Sequence, residues 1–232
     1  MRRPPAHAPL VSVILSTLNR AGLVDRAIRS VFDQTITRWE LVLIDDGSTD
    51  GSELMLAQIA KSDPRVVLIS RANRGLAASR NQGIQIARGT YVAFLDSDDT
   101  LRPNHLELNL EAMRRDPALD FVMGRLHIVG PRSAQYVPDV HRPGRRIHLS
   151  QCQSAGNLFA KRSVLLASGG FPLHEFGEDT ALITELKKRY RWKPLKSATY
   201  VYDCTAQQRM CEVFEREGAR GLRTLRRGTR MR

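Results

Sequence analysis

Four short apolar runs, each followed by a helical stretch and each at similar spacing, constrain this chain more than any other feature. Leu10–Leu15, Leu41–Ile44, Val66–Ile69 and Tyr91–Leu95 are rich in β-branched and large apolar residues, with little polar alternation. Strands of that kind are buried on both faces, as in a parallel sheet. Between them, Leu23, Ala27, Ile28 and Val31 recur at helical spacing over 22–34, and Leu54, Leu56, Ile59 and Ala60 do so in the next segment. Leu76 to Ala87 reads as a third helix, stopped at Gly89. Pro103 opens a fourth, to about Arg115, at a position where proline is tolerated. Strand and helix alternating in this way predict right-handed βαβ units and a doubly wound, mostly parallel α/β sheet flanked by helices.

In such sheets ligands bind beyond the carboxyl ends of the strands. The first, second and fourth runs end in Thr17-Leu18-Asn19-Arg20, Asp45-Asp46-Gly47-Ser48 and Asp96-Ser97-Asp98-Asp99. Three polar clusters therefore meet at one sheet edge. Residues two apart on an extended segment share a face, so Asp96 and Asp98 can address one ligand. Their mutual repulsion is relieved by a cation. Mg²⁺ or Mn²⁺ suits oxygen donors and is held by one or two carboxylates plus substrate phosphates. The two acidic clusters also have a plainer reading: Asp45–Asp50 as an Asx turn leading into a helix, and Ser97 or Asp98 as a cap for the helix after Pro103. Arg80, in Asn73-Arg74-Gly75-Leu76-Ala77-Ala78-Ser79-Arg80-Asn81, is either a solvated arginine or a guanidinium fork for a diphosphate.

Beyond Asp116 the alternation weakens. Phe121–Val129 reads as one strand, and 130–148, with three prolines and two glycines, reads as a loop. A helix is expected after Gly177-Glu178-Asp179, and a strand over Ala198–Tyr202. The chain carries a net charge of +12, unevenly distributed. Residues 1–115 hold 15 Lys+Arg against 13 Asp+Glu, and residues 116–232 hold 21 against 11, so the second half is built to meet something anionic. Aromatics are only 6% and are not interleaved with the basic residues, which argues against a nucleic-acid partner. Three scattered cysteines give neither a disulfide framework nor a zinc site. No run reaches the roughly 20 apolar residues of a membrane span, and the expected location is the cytoplasm. The tail from Arg209 to Arg232 holds eight arginines. Met210, Val213, Phe214, Leu222 and Leu225 lie near helical spacing there. The tail reads either as a solvated basic segment or as an amphipathic helix on anionic lipid at the inner membrane face.

Taken together, Val13–Arg20, Leu43–Asp50, Asn73-Arg74-Gly75 with Ala78–Gly83, and Phe94–Asp99 resemble glycosyltransferase family 2. That resemblance implies a GT-A fold, with residues 8–115 as the nucleotide-sugar (donor) half, 116–205 as a smaller acceptor-side half, and 206–232 as the tail. It implies an inverting transfer from a nucleoside-diphosphate sugar, UDP-sugars favoured, to a glycan or lipid-linked hydroxyl in polysaccharide biosynthesis. The cofactor would be Mn²⁺ or Mg²⁺, held by Asp98 and Asp96. Thr17, Asn19, Arg20, Asp45, Asp46, Asn73, Arg80, Asp96 and Ser97 would line the donor pocket, with Asp45 on the base. Asp179 would be the general base and Glu178 its support. Gly156, Asn157 and Phe171 would lie on the acceptor side. The sequence departs from the family in two places. Tyr200-Val201-Tyr202-Asp203-Cys204 lacks the histidine that many members carry after the last strand, so either Asp203 replaces it or the third protein ligand is absent. The Gln-x-x-Arg-Trp run of processive members is also missing, which implies one sugar per event. A nucleotide-sugar binder without catalysis stays open as an alternative. A sugar nucleotidyltransferase would need a glycine-rich loop where Ser16–Arg20 stands.

Overall fold

The computed structural model describes residues 8–139, 141–142, 144–173, 176–206 and 209–226, with side chains as far as Gly218. The expected alternation is present. β1 (Val11–Thr17), α1 (Val24–Phe32), β2 (Trp39–Asp45), α2 (Ser52–Ser62), β3 (Val66–Ser70), α3 (Leu76–Ile86) and β4 (Tyr91–Asp96) follow in order. Then come β5 (Thr100–Leu101), α4 (His105–Arg115), β6 (Phe121–Met123), β7 (Leu126–Val129), β8 (Tyr136–Pro138) and β9 (Arg146–His148). The chain continues through β10 (Leu158–Lys161), α5 (Arg162–Ala167), α6 (Glu178–Arg189), β11 (Trp192–Pro194), β12 (Tyr200–Asp203) and α7 (Met210–Arg226).

The main sheet runs β11-β6-β10-β4-β1-β2-β3. β3, β2, β1 and β4 are mutually parallel, and β10 enters antiparallel between β4 and β6. The two expected halves thus share one sheet. Each face carries its own apolar cluster. Val11, Val13 and Leu15 pack with Leu41, Leu43 and the α1 residues Ala27 and Val31, while Ile14, Val42, Ile44 and Phe94 pack on the other side with Ile84 and Ile183. That two-sided burial is why these strands read as unbroken apolar runs. Each fully buried Val, Leu or Ile contributes about 1.5–3 kcal/mol relative to exposure. α3 lies close on β1 because residue 83 is glycine: a Cβ there would stand 2.4 Å from Ile14 Cγ2. This close approach carries Arg80 to the cleft.

Two expectations for the second half are corrected. Phe121–Val129 is two strands in two different sheets. The Gly124 N–H turns to the Asn157 carbonyl (3.0 Å) and the Arg125 N–H to the Ser197 carbonyl (2.7 Å), so the chain leaves β6 and β7 joins β12 and β5. Residues 130–148 are not simply a loop. They hold a 3₁₀ turn over Arg132–Gln135 and the antiparallel pair β8–β9, whose Val137 and Ile147 pack with Leu149 and Cys204. The tail, read either as a solvated segment or as a helix, forms α7 over its described part, broken at Gly218, which is non-helical (φ 58°, ψ −155°). No helix among the described residues is long and apolar enough to cross a membrane.

Candidate active site

Thr17, Asp45 and Asp96 end β1, β2 and β4 side by side: Thr17 is in register with Asp45, and Ser16 with Asp96. Above that edge opens a cleft of about 720 Å³. Thr17, Asn19, Arg20, Asp46, Asn73, Arg80, Asp96, Ser97, Asp98, Glu178 and Asp179 all line it.

On the wall above β1 to β3, Asn19 adopts the left-handed conformation (φ 53°). Its N–H donates to Ser48 Oγ (3.0 Å) and its Oδ1 accepts from the Thr49 N–H (2.8 Å), stitching the two strand ends together. The two neighbouring aspartates divide their work. Asp45 accepts from the Ser48 N–H (3.1 Å) and is absent from the cleft lining, so it acts as the turn residue. Asp46 faces the cleft, and it accepts from Arg71 Nε (3.1 Å) and from the backbone N–H groups of Arg74 (3.0 Å) and Gly75 (2.7 Å). Asp46 thereby sets the 73–75 loop. Thr17 Oγ1 and Asn73 Nδ2 are buried without a hydrogen-bond partner. Orphaned donors of this kind are costly unless a ligand satisfies them.

The cleft floor is a charge network. Arg80 is 3% exposed. Its Nη2 lies 2.7 Å from Asp96, and its Nη1 lies 2.5 Å from Asp179 and 3.2 Å from Glu178. Phe171 supports the guanidinium from below, 5.2 Å from ring centroid to Cζ. Arg80 reaches the cleft as expected, but these donors are turned to carboxylates rather than outward. Asp179 also accepts from the Ala155 N–H (2.9 Å). Burial pushes the Asp179 carboxyl up, against the pull of Arg80 and with the help of Asp96. Burial and the Asp179 charge push Glu178 up to about 7 despite Arg80.

Asp98 and Asp99 also differ. Asp99 is buried, accepting from the Tyr200 hydroxyl (2.7 Å) and the Asp203 N–H (2.8 Å). The Asp98 carboxylate accepts neither of those bonds and lines the cleft. Burial and the negative Asp96 raise its pKa, with Arg20 and Arg26 pulling the other way. Two cleft-facing carboxylates, one of them desolvated, fit a hard divalent cation that is completed by phosphate oxygens and water. Among the described residues no group of three His, Cys, Asp or Glu could hold a metal by itself.

Gly156, Asn157 and Phe171, expected on the acceptor side, are not among the residues that line the cleft. Gly156 is the floor under Tyr200, where an added Cβ would stand 2.3 Å from Cζ. Asn157 holds the strand break through Gly124 O (3.1 Å). Phe171 packs edge-on to Phe94 at 5.1 Å. The opposite wall is instead Val137, Leu149, Cys152, Tyr202, Arg209 and Met210. Arg209 was missed by the sequence reading. It is 4% exposed and fixed by Glu212 (Nη2, 2.7 Å) and Ala134 O (3.1 Å), while its Nη1 has no partner. The apolar residues Val213 and Phe214, which an amphipathic helix on lipid would turn to the membrane, have partners within the protein. Val213 is buried, and Phe214 stacks on Phe176 at 4.2 Å. Leu222 and Leu225 lie outside the described side chains.

The profile of glycosyl transferase family 2 matches residues 12–173. The chain is 43% identical over 115 residues to the putative teichuronic acid biosynthesis glycosyltransferase TuaG of Bacillus subtilis, covering 49% of this chain and 46% of that protein. It is 39% identical over 113 residues to an Escherichia coli chondroitin synthase, covering 49% of this chain and 16% of the synthase. It therefore spans less than half the length of these relatives. Among solved structures, Staphylococcus aureus TarS 1–349 in complex with UDP-GlcNAc superposes with TM-score 0.69 at 21% identity, over 86% of this chain and 60% of TarS 1–349. The Pyrobaculum calidifontis mannosyltransferase PcManGT, in complex with GDP-Man and Mn²⁺, superposes with TM-score 0.67 at 22% identity, over 88% of this chain and 59% of that one. The shared fold is GT-A.

Proposed function

The chain belongs to glycosyl transferase family 2, and from that premise we propose that it moves a sugar from a nucleoside-diphosphate sugar, a UDP-sugar first, to an acceptor hydroxyl with inversion at the anomeric carbon. The observation that carries this reading is the single cleft around which Thr17, Asp46, Asp96, Asp98 and Asp179 converge. TarS in complex with UDP-GlcNAc supports uridine nucleotides, and PcManGT with GDP-Man and Mn²⁺ supports a divalent cation.

Thr17 and Asn73 offer unpartnered groups to the nucleotide. Asp96 and Asp98 would hold Mn²⁺ or Mg²⁺, which when bound neutralises the leaving diphosphate. An inverting displacement needs one base, and Asp179 fills that role by taking the proton of the attacking hydroxyl. Arg80 holds Asp179 and Asp96 at a fixed separation, a positioning role beside the diphosphate site. Absence of the Gln-x-x-Arg-Trp run supports transfer of one sugar per event. The cation Arg209 on the opposite wall supports an acceptor bearing an anionic group, in keeping with polysaccharide biosynthesis. On that reading Arg209→Gln raises KM for an anionic acceptor and leaves donor affinity unchanged. Peripheral contact with anionic membrane rests on the charge of the tail alone, and vesicle sedimentation with and without residues 219–232 tests it.

A thermal-shift screen of UDP-, GDP- and dTDP-sugars, with and without Mn²⁺, tests the donor assignment. A ligand that binds only the folded state raises Tm by mass action, about 2.7 kcal/mol of stabilisation at 100 times Kd. A rise for a UDP-sugar that needs Mn²⁺ supports the proposal. No rise with any nucleotide sugar would remove it.

A further inference from the structure

β12 ends in Asp203, the residue considered above as a stand-in third metal ligand, and the structure gives this aspartate other partners. Its carboxylate accepts from Arg26 Nη1 (2.5 Å), from the Thr205 N–H (2.8 Å) and from the Thr205 hydroxyl (2.6 Å). It is absent from the cleft lining. Asp203 is therefore not a spare ligand waiting for a cation.

Arg26 is the link. It projects from α1, whose Val24, Ala27, Ile28 and Val31 are buried in the core. While Nη1 holds Asp203, Nη2 donates to the backbone carbonyl of Asp98. The contact is to the peptide and not to the Asp98 carboxylate, which lines the cleft. The next residue is gripped from the same strand: Asp99 accepts from the Asp203 N–H and from the Tyr200 hydroxyl. Tyr200 in turn accepts from the Asp96 N–H at 3.2 Å. Asp96, Asp98 and Asp99 are thus each fixed, through backbone or side chain, by a network that ends on Arg26 and β12.

We propose that the Arg26–Asp203 pair is a positioning clamp on Asp98 and not part of the metal's own ligand set, so that the cation is held only by the Asp96/Asp98 carboxylates and the donor's phosphates. The inference rests on the donor-site reading above. Its consequence is strong coupling. A Mn²⁺ or Mg²⁺ ion with two protein carboxylates keeps several waters and binds weakly until a diphosphate supplies further oxygens. Coupling of this kind is reciprocal, so metal tightens nucleotide by the factor by which nucleotide tightens metal. Groups that orient a metal ligand typically change metal affinity by roughly 10–100-fold when removed.

The test uses the full chain, with Mn²⁺ and UDP as probes. UDP affinity is measured by calorimetry with and without Mn²⁺, and Mn²⁺ affinity by the electron paramagnetic resonance of free Mn²⁺ with and without UDP. Wild type is expected to bind Mn²⁺ weakly alone and much more tightly with UDP. Arg26→Ala and Asp203→Asn are expected to keep metal-free UDP affinity and to lose roughly 10–100-fold of the Mn²⁺-dependent part. Arg26→Lys should restore some of it. Arg26 is partly exposed (41% of its side chain), so the variants are compared at matched folded fraction by circular dichroism. Unchanged Mn²⁺-dependent UDP affinity in both variants would overturn the clamp. If Asp203→Asn weakened UDP-free Mn²⁺ binding as much as Asp98→Asn does, Asp203 would be a ligand and the clamp would also fall. A wild type whose affinity for both UDP and GDP ignores Mn²⁺ would remove the donor-site reading itself.

Discussion

Arg80 joins Asp96 to Asp179 across the cleft floor, its two terminal nitrogens 2.7 Å and 2.5 Å from the two carboxylates. Arg80, whose position in the sequence suits either solvent or a diphosphate, ties the donor edge of the sheet to the first turn of α6.

Removing that tie leaves Asp96, Glu178 and Asp179 facing one another around a buried vacancy. Breaking a buried charge pair by deleting one partner costs about 3–5 kcal/mol. Arg80→Ala is therefore expected to lose a stability of that order in urea unfolding, and Arg80→Lys less. A loss no larger than that of a surface arginine would show the network to be dispensable.

Asp179→Asn keeps the shape and removes the base. Turnover of the donor onto acceptor should fall by roughly 10²–10⁴-fold, with nucleotide affinity unchanged in calorimetry. Retention of wild-type turnover would move the base elsewhere in the cleft.

Much of this architecture was legible because buried parallel strands advertise themselves as continuous apolar runs, and because polar residues directly after such runs must lie at their carboxyl edge. What could not be read was which way adjacent side chains face. Asp45 and Asp46 are neighbours, and only register with Thr17 and the 73–75 loop puts the second, not the first, on the cleft wall. Gly156 and Phe171 matched an expected pattern, yet their roles are set by Tyr200 and Arg80, distant in sequence. β8 and β9 are three residues each, with Pro138 inside one, too short for alternation to register. Asp203 was noticed as an anomaly, but its partner Arg26 lies 177 positions away.

Gly156→Ala tests the floor under Tyr200. The new Cβ would displace a ring whose hydroxyl holds Asp99 and the Asp96 backbone. Overpacking of this kind costs about 1–3 kcal/mol. A lowered Tm together with weakened Mn²⁺-dependent UDP binding is expected, and an unaffected Tm would contradict the packing.

His105 gives the fold an acid sensitivity. It is buried, its Nδ1 lies 2.8 Å from Thr199 Oγ1, and burial lowers its pKa to about 4. The unfolded chain takes up that proton near pH 6.5. Between pH 6.5 and 4 the unfolded state therefore binds more protons, and this contribution to stability is lost as pH falls, by up to about 3 kcal/mol. His105→Gln should lose less stability than wild type between pH 7 and pH 4 in urea titrations. Parallel pH profiles for the two would exclude the assignment.

The central claim is that Asp98 binds the cation that ties the donor's diphosphate to this sheet edge. Calorimetric titration of UDP into wild type and Asp98→Ala, each with and without Mn²⁺, addresses it most directly. The account predicts that Mn²⁺ tightens UDP binding to wild type and has no effect on Asp98→Ala. An equal Mn²⁺ enhancement in the two proteins would contradict it.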